Sequence, residues 1–169
     1  MDPQIPNLKN QKYIKESSLQ ACYEKNKEYQ NDYNDCFTNI ERLKQELSDL
    51  LFYQKKLLKE REYLESLISG DASPMGKVRF HQPGLLEGRF LEKAQFKMDT
   101  QRRSQEKALA TMEENIREMK QKAAEIEDEI EVERRNLFRL DDLISKNRAN
   151  IERQKVEIAV IESKIRSIS

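Results

Sequence analysis

The chain has 169 residues, 37% of them charged, with four Gly, four Pro and no Trp. This is the composition of long solvated helices, not of a globule packed around one core. The 31 basic and 31 acidic residues cancel to a net charge of zero, which removes any global attraction to nucleic acid or an anionic membrane, and no stretch approaches the roughly 18 apolar residues of a membrane span.

Residues 1–10, with Pro3 and Pro6, read as an irregular arm, and the opening MDPQIPNLKN lacks the apolar core of a secretory signal. A first coiled-coil helix is predicted over 11–69. Its seam steps alternately by three and four residues through Leu19, Cys22, Tyr29, Tyr33, Cys36, Ile40, Leu43, Leu47, Leu50, Leu57, Leu64 and Ile68. Asn26, Gln54 and Arg61 interrupt it. A repeat averaging 3.5 residues lays one apolar stripe along a helix and selects a partner helix for it. The helix should end at Ser69-Gly70, where glycine accepts the left-handed cap conformation.

Residues 70–88 carry Gly70, Pro74, Gly76, Pro83, Gly84 and Gly88 and are predicted to be a loop. Gly70 to Val78 fails as a phosphate-binding loop. The glycine spacing is one residue too long, Val78 stands where a metal-binding Ser or Thr is needed, and a helix precedes it instead of a strand. Lys77-Val78-Arg79-Phe80 is a candidate strand with nothing to pair with. His81, the single histidine, has no acidic or Cys partner nearby, so neither a metal nor a nucleophilic site is expected. Ser73-Pro74 is a candidate phosphorylation site.

A second coiled-coil helix is predicted over 89–169. From Leu109 to Ile168 its seam keeps the three-four alternation without a break, and only Glu133, Asn147 and Gln154 are polar. Two long helices around one breaker-rich joint predict an all-α antiparallel hairpin. Matching buried polar groups favours a register that sets Asn26 opposite Glu133, Gln54 opposite Gln105 and Ile68 opposite Leu91. Leu19 then meets Leu140, and the carboxy-terminal end of the second helix overhangs. Ile144, Ile151, Ile158, Ile161, Ile165 and Ile168 would be left for partner helices. Phe37, Leu51 and Leu58, beside the first seam, add apolar surface that a two-helix seam does not use.

No constellation here carries chemistry. Cys22 and Cys36 lie two heptads apart on the seam, too far for zinc spacing, and read as small core-facing residues suited to a reducing compartment. The acidic residues lie on solvated faces, with no pocket to shift them. The basic segment 70–107, with Arg102-Arg103, has no recognition module. The expectation is a non-enzymatic coiled-coil scaffold subunit without cofactor, metal or small-molecule substrate. Its partners would be itself or other coiled-coil proteins, without membrane or nucleic acid. The expected site is the cytoplasm, with nucleus or cytoskeleton as alternatives. The rival functions are a helical-hairpin chaperone of prefoldin type, similar in architecture only, and a coiled-coil stalk of a larger machine.

Overall fold

The computed structural model describes residues 4–69 and 89–168, and all of them are helical. Helix α1 spans Gln4–Ser69 and α2 spans Arg89–Ile168. The protein is all-α, a hairpin of two long helices. The expected loop, with Ser73, the Lys77–Phe80 stretch and His81, lies outside the described residues.

Helix α1 starts earlier than the sequence suggests. Residues 4–10, expected as an irregular arm, are helical. Pro6 sits in the first turn, where a backbone N–H has no intrahelical acceptor, so its missing donor costs nothing there. The early start lengthens the seam: Ile5, Leu8, Lys12 and Lys15 lead by threes and fours into Leu19, and all five are half-buried.

The chain divides into two compact units, Met1–Leu43 with Glu129–Ser169, and Lys44–Asp128. In the first unit Cys22, Ile40 and Leu43 of α1 share a core with Ile130, Leu140, Ile144 and Ile151 of α2. Lys12 pairs with Glu162 at 2.8 Å and Lys15 with Glu157 at 2.7 Å. Glu133 accepts a hydrogen bond from Asn39 at 3.5 Å, so it does not sit opposite Asn26. The helices are therefore antiparallel, but shifted by nearly two heptads from the register that polar matching favours. Hydrophobic burial decides the shift. Each Ile gains roughly 1.5–3 kcal/mol when buried, and the expected register leaves the Ile-rich end of α2 bare. The observed one covers it with the first turns of α1.

In the second unit Ile116, Ala123 and Ile126 are buried. Lys122 pairs with Glu46 at 3.6 Å, and Leu50 lines a cleft with Asn115, Glu118, Met119 and Lys122. Helix α2 has 80 residues and α1 has 66. The surplus lies at the start of α2, where residues 99–104 are all exposed, and not at the carboxy-terminal end where the overhang was expected.

Two predictions follow from this register. Glu133→Cys in a Cys22→Ser background should form an intramolecular disulfide with Cys36, whose thiol already hydrogen-bonds Glu133. Asn26→Cys with Glu133→Cys, in a chain lacking the native cysteines, should not. Non-reducing electrophoresis with peptide mapping distinguishes the two.

The second prediction concerns pH. The hydrogen bond from Lys12 is the main cause that holds Glu162 below the usual 4.5, and that from Lys15 does the same for Glu157. Because the folded values are lowered, these pairs stabilise fully above the ordinary glutamate value. That stabilisation is lost as pH falls through the lowered values. Lys12 is raised above 10.5, chiefly by Glu162, so its share is present below that pH and lost above it. The protection of amides in residues 5–19, taken relative to the intrinsic exchange rate at each pH, should fall as pH drops through the lowered glutamate values, and Lys12→Ala should flatten that fall.

Candidate interaction surfaces

The alternating three-four pattern fixes which side chains meet. Seam positions are a and d of the heptad, and e and g flank them. On α1, Cys22 and Cys36 occupy d, and each faces a polar interruption of the α2 seam. Asn147 Nδ2 donates to the Cys22 carbonyl at 2.7 Å, and Asn150 Nδ2 donates to Cys22 Sγ at 3.3 Å. Gln154 Nε2 donates to Ser18 Oγ at 3.0 Å and lies 3.7 Å from Cys22 Sγ. Gln154 is only 8% exposed, and its Oε1 and the Oδ1 of Asn26 are buried without hydrogen-bond partners.

The second interruption surrounds Glu133, which accepts from Asn39 and, at 3.4 Å, from Asn136. Burial first, then the hydrogen bond to Glu133 and the charges of Glu133, Asp32 and Asp35, push the Cys36 thiol up. It is thus held away from the thiolate form that nucleophilic chemistry requires. Both cysteines are free. Among the described residues no group of three or more His, Cys, Asp and Glu is placed to hold a metal ion.

The expected partner-binding residues divide into two sets. Ile144 and Ile151 are each 4% exposed, inside the core of the hairpin, and no partner reaches them in the folded chain. Ile158, Ile161, Ile165 and Ile168 are half-buried beside the amino-terminal turns of α1. The flank of α1 is different. Phe37 is 53% and Leu51 45% exposed, Tyr23 is also exposed, and Leu58 is half-buried. These four are e positions, one column along α1. Phe52 and Tyr53 add an exposed edge-to-face ring pair at 5.7 Å.

On the e side Lys155 Nζ lies over the Tyr23 ring at 5.9 Å. The opposite, g-side flank carries polar bridges. In the first unit these are Asn39–Glu133 and Asn150–Cys22, and in the second Lys122–Glu46. On the e side the first unit holds a cleft of about 300 Å³ lined by Tyr33, Arg134, Leu137, Phe138 and Asp141. Phe138 was not expected as a site residue. An aromatic side chain on the otherwise charged outer face of α2 was the available signal. A wider cleft of about 600 Å³ lies beside Glu92, Lys93, Ala94, Phe96 and Lys97 on α2.

Compared with protein-family models, curated proteins and solved structures, the chain matches none. Among the described residues no helix is long and apolar enough to cross a membrane.

The polar layer yields a stability prediction. Gln154→Leu removes a buried oxygen that has no partner, and the Ser18 hydroxyl, on an exposed residue, can turn to water. Unfolding should become harder by about 1 kcal/mol, read as a higher midpoint in denaturant at unchanged slope.

Proposed function

We propose that this chain is a non-enzymatic coiled-coil scaffold subunit that joins helices of other molecules through surface outside its own seam. The observation that carries the reading is the e column of α1. Phe37 and Leu51, two heptads apart, are exposed, and Leu58 one heptad on is half-buried, so the intramolecular seam leaves apolar surface open there. A two-stranded coiled coil uses a and d, whereas apolar e or g positions belong to bundles of three or more helices. In each unit the open column supplies one side of such a bundle.

The expected assembly role of the Ile-rich end is narrowed accordingly. Ile158, Ile161, Ile165 and Ile168 keep some accessible surface and extend the contact, while Ile144 and Ile151 hold the hairpin together. Two free cysteines on the seam suit a reducing compartment such as the cytoplasm.

The test is Leu51→Asp with Leu58→Asp. Helicity by circular dichroism should be retained, because neither residue is in the buried core. Association with helical partners, measured by sedimentation velocity and by pull-down of defined coiled-coil proteins, should weaken at least about tenfold. Unchanged association would move the interface off this column. Saturable turnover of a small molecule would overturn the scaffold reading altogether.

A further inference from the structure

We propose that a second copy of this chain docks on the face of α2 around Phe138, in an antiparallel α2–α2 contact with two-fold symmetry. This rests on the reading that the chain assembles through helix surface outside its seam. It names the partner for one such surface.

Phe138 is 79% exposed, the most exposed large apolar side chain among the described residues. It borders the cleft formed with Tyr33, Leu137, Arg134 and Asp141. Along α2, Glu131, Arg134, Phe138, Asp141, Ser145 and Arg148 follow one another at steps of three and four. They therefore form one stripe, with the spacing of a coiled-coil seam.

The charges on this stripe select the occupant. Their order is minus, plus, aromatic, minus, small, plus. A parallel, in-register copy sets like charge against like. A copy turned end for end about an axis just past Phe138 sets Glu131 beside Arg148 of the second copy. It also brings Arg134 within reach of that copy's Asp141. A two-fold axis repeats both pairings on the other side, as a self-complementary interface requires. Among the described residues Asp141 and Arg148 make no ion pair within the chain. Arg134 and Glu131 are paired along the helix at 2.6 Å, which holds both on the stripe. The two Phe138 rings then lie beside the axis, level with the Asp141 carboxylates that Arg134 answers, while the Glu131–Arg148 pairs form the rim.

The experiment is sedimentation equilibrium of the full chain, with circular dichroism to confirm that each variant stays helical. The wild-type chain should dimerise, more weakly as salt rises. Phe138→Ser should weaken the dimer at least about tenfold. Arg134→Asp alone and Asp141→Arg alone should each weaken it about tenfold by setting like charges together. The double variant Arg134→Asp/Asp141→Arg should recover most of the loss, a result that a merely structural role of either residue does not produce. A wild-type chain that stays monomeric, or a dimer indifferent to Phe138→Ser, overturns the proposal. So does a double variant that shows the summed loss of the single ones. If the dimer survives these changes but falls apart in Leu51→Asp with Leu58→Asp, this face is wrong and the scaffold reading stands. If the chain joins neither itself nor another helix, both fail.

Discussion

Burial of the Ile-rich stripe of α2 under the amino-terminal half of α1, from its first turns to the level of Cys22, is the constraint on which the rest of the molecule depends. Ile144 and Ile151 are nearly inaccessible, and Ile158, Ile161, Ile165 and Ile168 are partly covered. Sliding α1 toward the polar-matched register uncovers this end and gains only softer seam residues in exchange. Several Ile side chains at roughly 1.5–3 kcal/mol each outweigh one or two improved polar contacts at about 1 kcal/mol. The polar groups then adapt to the register that the apolar ones choose. Lys12 and Lys15 show how: each occupies a seam position, but the charged end reaches out to Glu162 or Glu157 while the aliphatic stem stays at the interface.

The polar interruptions have a different role. A carbonyl oxygen of Gln154 and one of Asn26 are buried without partners, so the layer around Cys22 is paid for in stability. Its return is specificity. Asn147, Asn150 and Gln154 all direct amide hydrogens at Cys22 or Ser18, and a slip of one heptad in either direction breaks that set. A uniform apolar seam tolerates such slips, whereas a polar layer that works at only one offset does not. Apolar area thus sets the register coarsely, and the amides sharpen it.

Much of the architecture is legible in the residues alone. The alternating spacing and the unbroken run after Gly88 make both long helices predictable from periodicity. The register does not, because Lys12 and Lys15 look like the end of a pattern when they continue it. Matching the polar seam residues sets Leu19 against Leu140, and the supposed overhang follows from that register, while stopping the seam at Leu19 hides the residues that cover the Ile-rich end. Pro6 adds to the illusion, since a proline near a terminus reads as a breaker although the first turn tolerates it. Of the candidate surface, Phe37, Leu51 and Leu58 are visible from their off-seam positions. Ile144 and Ile151 are misassigned along with the register. Phe138 escapes because a single aromatic on a charged face stands out only once the folded chain shows what lies beside it.

The two flanks of the seam differ in what they leave for another molecule. On the g side, side-chain amides, a carboxylate and an ion pair cross from helix to helix, and an incoming helix must displace them and then satisfy each group again. On the e side α1 offers the apolar surface of Phe37, Leu51 and Leu58, with Lys44 interrupting the column between Phe37 and Leu51. Desolvating that side returns free energy in proportion to the apolar area covered. Desolvating the other returns little and risks orphaned polar atoms. Under the scaffold function proposed above, the seam residues that fold the hairpin and the e-side residues offered to a partner helix are different residues, so the two contacts do not compete.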